Sequence, residues 1–192
     1  MFGLFKSKKK EITVKDLVLK SDTAKYKGLV RRLNQSDKVI ILYYFEDTKE
    51  ELENYLDTQS IQYTTTNSFA AKVWIMKANS ILQKSDVNNR DLLFIEHHPS
   101  FKKEKEITDH IMNNLSVNEV TFFVSLEDEL LKFFGSDRIS DMMEKMGFKD
   151  DDALEHTMIS KSIERTQMKM DESVLMPSDT RNSKDWFTMN LK

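Results

Sequence analysis

The sequence contains no cysteine, four glycines and two prolines in 192 residues. The missing cysteine excludes disulfides and thiolate metal sites. Scarce glycine and proline predict long elements joined by short loops. The glycines are Gly3, Gly28, Gly135 and Gly147, and no pair has the spacing of a phosphate loop, G-x-x-x-x-G-K-[ST]. Backbone can approach phosphate closely there only through glycine. No apolar run nears the ~20 residues that cross a bilayer. Basic residues are not in excess: the formal net charge is −3, which argues against a general nucleic-acid binder, since neutralising phosphates needs a basic face. What remains is length enough for one medium domain with a real core.

The first residues, MFGLFKSKKK, put apolar side chains before charges. A secretory signal has the reverse order and a longer apolar stretch, so the expected compartment is the cytoplasm. Two readings of this arm stand. Phe2, Leu4 and Phe5 with Lys6, Lys8, Lys9 and Lys10 can touch an anionic membrane surface, or the arm is a solvated terminus.

Hydrophobic spacing predicts a helix over 14–33, where Leu17, Val18, Tyr26, Leu29, Val30 and Leu33 recur mostly at helical intervals. Residues 38–45 (KVIILYYF) are apolar on both faces, as in a strand covered on both sides. A helix is expected over 48–56, with Thr48 and Glu51 as a capping box. A strand is expected at 61–65, a helix at 68–82, a strand at 91–96, a charged helix at 100–114 after Pro99, and a last strand at 120–124. Strands alternating with helices imply an α/β layered domain with a largely parallel sheet. Ser125 and Asp128 read as a second capping box, and Gly135 as a left-handed helix end. Ser136 or Asp137 caps the next helix, whose Ile139, Met142, Met143 and Met146 share one face before Gly147 ends it. Asp150 to Asp152 place negative charge at the start of a third helix. Beyond Met170, with Pro177 and many small polar residues, the pattern reads as a tail.

The stretch from Phe122 to Met170 carries the most specific signal. Its pieces SLEDELLKFFGSDRIS, MMEKMG and EHTMISKSIERTQ, in that order, closely resemble the segment that follows the last ATPase motif of SecA, the motor ATPase of bacterial preprotein translocation. Weaker likeness extends upstream. Lys25-Tyr26-Lys27-Gly28-Leu29-Val30, then Lys38 to Leu42, then Glu50-Glu51-Leu52, are similar to the entry of that family's second RecA-like half. Leu93 to Ser100 is similar to its VIGTERHES. The resemblance implies a three-layer RecA-like domain followed by a short helical extension. The implied bounds are a basic arm at 1–13, the RecA-like domain at 14–148, the extension at 149–170 and a tail at 171–192.

The same register exposes a loss. Where the family has QxxGRxGRxG, this chain has Glu106 for the glutamine, His110 and Asn113 for the two arginines, and Asp109, Met112 and Leu115 for the glycines. In the family those arginines face the nucleotide, where cations stabilise phosphoryl-transfer charge. The TNMAGRGTD-type motif survives only as Ala78-Asn79, and the first ATPase half is missing. The resemblance therefore implies a catalytically inert accessory or regulatory module of protein translocation, without cofactor or metal, acting by protein binding. Its expected partner is SecA, another translocase component or a second copy. The alternatives are a half-motor completing an ATP site with a partner, and a small-ligand domain with a pocket at the carboxyl ends of its strands.

Other chemistry finds little support in the sequence. His97 and His98 are adjacent at a strand end, where successive side chains point to opposite faces, so they do not chelate one ion. His110 and His156 stand alone, and no G-x-S-x-G elbow exists. The strand-end acids Glu46, Asp47 and Glu96 lack the phosphate loop that would make them magnesium ligands. Lys102, Lys103 and Lys105 interleave with Glu104 and Glu106 as a solvated helix face. The candidate interaction residues are Met158, Ile159, Ile163, Met168 and Met170 on the extension, whose spread is too wide for one buried stripe. Trp186 and Phe187 join them, to cover that surface in cis or leave it to a partner.

Overall fold

A computed structural model of the chain describes residues 13–66, 68, 70–87, 89–174 and 176–191. The basic arm, where membrane contact was considered, lies almost wholly outside these residues.

Five strands form one sheet: β1 (Val14–Leu19), β2 (Val39–Tyr43), β3 (Val73–Lys77), β4 (Asp91–Phe94) and β5 (Glu119–Ser125). Their spatial order is β1-β5-β4-β2-β3 and every pairing is parallel. β2, β4 and β5 fall where the sequence places them. Every residue of β2 and β4 is buried, because helices cover both faces and a parallel sheet then selects apolar residues without alternation.

Successive strand residues serve different layers. Val39, Ile41 and Tyr43 pack with Leu93, Ile95 and Phe123 against α1 (Asp22–Gln35) and α2 (Glu46–Thr58). Ile40 and Leu42 pack with Leu92, Phe94, Phe122 and Val124 into a second core on the opposite face. That core is closed by α3 (Phe101–Asn114), α4 (Glu129–Phe134), α5 (Ser136–Lys145), α6 (Thr157–Ser173) and α7 (Ser183–Asn190). The result is the expected three-layer α/β domain. Among the described residues no helix is long and apolar enough to cross a membrane.

Several local expectations are corrected. The helix expected over 14–33 is a strand followed by α1. Ser21 separates them, its side chain accepting a hydrogen bond from the Ala24 amide at 3.2 Å as an N-cap. Residues 61–65 form no strand; Thr64 makes one isolated bridge to Trp74. The helix expected over 68–82 is β3 followed by a 3-10 turn at Ala78–Gln83. Val73, Trp74, Ile75 and Met76 are all buried, and β-branched and aromatic side chains covered on both sides favour a strand. Asp150 to Asp152 do not open a helix. Leu154 bridges Val18 at the free edge of β1, and α6 starts only at Thr157, with His156 accepting from the Met158 amide. Gly135, at φ 119°, ends α4 and itself occupies the N-cap of α5, so neither Ser136 nor Asp137 does. The stretch expected as a tail contains α7.

Candidate functional site

In a parallel open sheet the carboxyl ends of the strands form the edge where ligands are taken. Here that edge holds a cleft of about 310 Å³. Its walls come from the turns after β1, β2, β4 and β5 and from the start of α7.

Its charge is mostly negative. Asp22, Asp47, Glu51, Glu96, Glu127, Asp128, Glu129 and Asp185 line it, against Lys25, Lys184 and His97. Lys25 is already committed, with its ammonium 2.7 Å from Asp128 and 3.1 Å from Asp22. Burial disfavours that charge, but the two carboxylates outweigh it and raise the lysine pKa. Ser125 completes this knot. Its hydroxyl donates to Asp22 at 2.6 Å and accepts from the Glu127 amide, while its amide donates to Asp128 at 2.9 Å. Half of the expected capping box is therefore present, the carboxylate reaching back. It braces the turn between β5 and α4 and leaves the N-cap of α4 without a side-chain bond.

Glu96, just past β4, accepts from the Tyr44 and Phe45 amides at 2.7 and 3.0 Å and from the Thr48 hydroxyl at 2.7 Å. Thr48 is thus drawn to Glu96 and does not cap α2, whose N-cap is Phe45. Burial raises the Glu96 pKa to about 7, against the three hydrogen bonds that favour its charge.

His97 and His98 part as strand geometry demands. The His97 ring lies between two carboxylates, Nδ1 2.9 Å from Glu104 and Nε2 3.3 Å from Asp16, the second contact an ion pair without hydrogen-bond alignment. It stacks on Phe122 at 4.3 Å. Burial opposes its proton, but Glu104 and then Asp16 raise its pKa to about 10. Gln167 of α6 closes the cluster, its amide nitrogen donating to Glu104 at 3.0 Å and to the His98 carbonyl at 2.7 Å. His98 turns to the other side, against Tyr44, Phe45 and Trp186. Burial and then the charge of Lys103 lower its pKa to about 3, so it stays neutral. Its Nδ1 accepts from the Ser100 amide at 2.9 Å. Sequence reasoning did not single out His97, Glu104 or Gln167 as partners. The only signal was the seven-residue interval between His97 and Glu104, which spans a strand end and a helix start and matches no known motif.

The segment after α6 folds over this edge. Arg181 donates to Asp47 at 3.0 Å and to Glu50 at 2.7 Å; Asn182 donates to Asp47 at 2.9 Å. Lys103 pairs with Asp179 at 2.7 Å. Trp186 is the anchor, 1% exposed and packed in the core beneath, and Phe187 meets Phe133 of α4 at 5.7 Å between rings.

The expected site residues divide accordingly. Glu106, Asp109, His110 and Asn113 all lie on α3, a helix without a break. Glu106, Asp109 and Asn113 are exposed and His110 is half-buried, with Nε2 3.1 Å from the Lys84 carbonyl. Of the expected interaction residues, Ile159, Ile163 and Met170 are buried in the core, a correction to their reading as a surface, and Trp186 is buried as a cover in cis, one of its two expected roles. The three on α6 are buried because that helix lies along α3, α4 and β1. Phe187 is half-buried. Met158 and Met168 remain exposed, at 70% and 45%. No group of side chains suited to hold a metal ion occurs among the described residues.

Comparison with known proteins agrees with the resemblance. The SecA P-loop domain family matches residues 104–151. The protein translocase subunit SecA of Pelodictyon phaeoclathratiforme is 30% identical over 183 residues, covering 82% of this chain and 18% of that protein. SecA of Chlorobium phaeovibrioides is 42% identical over 81 residues, 42% of this chain and 8% of that protein. SecA of Parabacteroides distasonis is 36% identical over 88 residues, 46% of this chain and 8% of that protein. The chain thus spans less than a fifth of the length of these relatives. Among solved structures, the C-terminal part of the Fun30 ATPase domain aligns over 80% of this chain and 57% of its own, at 15% identity and a TM-score of 0.42. The chain belongs to the SecA family, to which it is related over a RecA-like, nucleotide-binding region.

Proposed function

We propose that this protein is a SecA-like accessory module of protein translocation that lacks ATPase chemistry of its own and acts by binding another protein. The observation that carries the reading is the carboxylate lining of the strand-end cleft. Eight acidic side chains face two lysines and His97 there; one lysine is spent on Asp22 and Asp128, and His97 on Asp16 and Glu104. A triphosphate brought to such a surface meets like charge in a partly desolvated setting, which costs binding energy. His110 and Asn113, at the positions of the motif arginines, supply no fixed cation. The same lining weighs against a pocket for anionic small ligands.

The binding reading draws support from the surface. Seven large apolar side chains are exposed among the described residues, and five are methionines: Met146, Met158, Met168, Met176 and Met189. Exposed methionine suits an adaptable protein contact, because its flexible, polarisable side chain repacks against varied partners. The favoured partner is SecA or another component of the translocase, met in the cytoplasm or at the membrane surface.

The test is a titration of the purified chain with SecA, read by calorimetry, for wild type and for Met158→Glu with Met168→Glu. Both sites are exposed, so the double variant should keep the wild-type melting temperature and lose at least tenfold in affinity. Equal affinity in the folded double variant would remove these methionines from the interface. Absence of any SecA binding by the wild type would remove SecA as the partner.

A further inference from the structure

The segment 178–191 is held by one buried residue and a ring of surface contacts. Trp186 is its only fully buried side chain. Around it, Arg181 reaches Asp47 and Glu50, Asn182 reaches Asp47, and Asp179 reaches Lys103. Asp179 is almost wholly exposed at its side of that pair. The segment also clasps itself, with the Ser178 amide and carbonyl both bonded to the Asn190 side chain at 2.6 and 3.2 Å. It is therefore a self-contained unit with one plug, flanked by the half-buried Phe187 and Leu191 that pack on the same core.

An eight-residue helix does not hold alone in water, since nucleation costs more than so few hydrogen bonds return. α7 exists because it is docked. A molecule whose segment lifts off has two unsatisfied apolar parts: Trp186 and Phe187 on the segment, and the socket of Tyr44, Phe45, His98 and Phe133 left behind. Of the residues that connect α6 to the segment, Val174, Met176 and Pro177 belong to no helix or strand. Two opened molecules can satisfy each other by exchanging segments about a two-fold axis, each contact being remade unchanged.

We propose that residues 178–191 are an exchangeable element through which two copies of this chain associate, each seating its Trp186 in the socket of the other. The socket is already complementary to this segment, and a second copy supplies the same segment, so the occupant is a second copy. Closed monomer and exchanged dimer share their contacts and differ in the connection. A connection that reaches its own socket favours the monomer at low concentration through its high local concentration. Shortening the connection favours the dimer.

The chain has no cysteine, so a pair introduced as Lys103→Cys with Asp179→Cys, at the cost of a single ion pair, reports which copy each segment sits on. A short bis-maleimide joins them within one chain when closed and between chains when exchanged. Deleting residues 174–177 removes up to about 14 Å of reach. The cysteine pair alone should cross-link within one chain at low micromolar concentration and increasingly between chains as the concentration is raised toward millimolar, and cross-links that stay within one chain throughout that range overturn the proposal. The deletion variant should be a dimer by light scattering and should cross-link between chains. Adding Trp186→Ala to the deletion should return it to a monomer. A monomeric deletion variant overturns the proposal, whether its Trp186 is exposed or buried. So does a deletion dimer that survives Trp186→Ala, which would place the interface elsewhere, on the methionine surface or on another partner's site.

Discussion

The two sides of the β4 end treat adjacent histidines in opposite ways. On the side of β1 and α6, His97 sits between Asp16 and Glu104 and holds a proton. On the side of α7, His98 sits among Tyr44, Phe45 and Trp186 and does not. The two are equally buried, 8% and 6% exposed, yet their pKa values move to about 10 and about 3. Burial alone would push both down. The partners decide: two carboxylates on one side, aromatic rings and the Lys103 charge on the other. The charged side ties α6 to the sheet through Gln167. The neutral side provides an apolar seat for α7.

The largest effect should come from breaking the charged side. His97→Ala strands Asp16 and Glu104 as buried carboxylates without their shared cation, and removing one partner of a buried pair typically costs about 3–5 kcal/mol. Urea unfolding at neutral pH measures it. A loss below about 1 kcal/mol at neutral pH would show the pair to be solvated.

The pH dependence then sharpens the contrast. The folded pKa of His97 lies above its ordinary value of 6.5, so its contribution is complete below that value and is lost as pH rises toward 10. The folded pKa of His98 lies below 6.5, so its contribution is complete above that value and is lost as pH falls toward 3. Glu96, raised from 4.5 to about 7, loses its contribution as pH rises between those values. Subtracting the stability curve of His98→Phe from that of wild type removes Glu96 and isolates the acid limb. That difference should fall from pH 6.5 toward pH 3, and a flat difference would mean that His98 keeps its proton when folded.

A smaller effect is expected at the far end of the same edge. Ser125→Ala removes the hydroxyl that donates to Asp22 and accepts from Glu127, a loss of about 1.5–3 kcal/mol for a hydrogen bond to a charged group. Its amide bond to Asp128 remains. Thermal melts would register the change, and partner binding measured well below the transition should be untouched.

Much of this fold was legible in the sequence because its strands are buried on both faces. KVIILYYF and DLLFIE could be little else, and Pro99 with Ser100 marks the start of α3 clearly. β1 was not legible. It lies at a sheet edge, so Lys15 and Asp16 interrupt its apolar residues and the spacing merges with α1 into a false helix. β3 was hidden because Ala70 and Ala71 before it and Ala78, Ile81 and Leu82 after it extend its apolar run to the length of a helix. The site was less legible still. His97 and His98 were read correctly as pointing apart, but nothing local announced that Asp16, eighty-one positions earlier, and Gln167, seventy positions later, would meet His97 and Glu104. Met170 and Met168 differ by two positions on a helix whose sheet-facing side was unknown without β1, and one is core while the other is surface.

The measurement closest to the central claim is the response of the purified chain to Mg-ATP. Calorimetric titration and a phosphate-release assay, run with the chain alone and with SecA present, should show no binding tighter than millimolar and no turnover beyond that of SecA itself. Micromolar binding, or magnesium-dependent turnover by the chain, would contradict the account and return it to the reading of a half-motor.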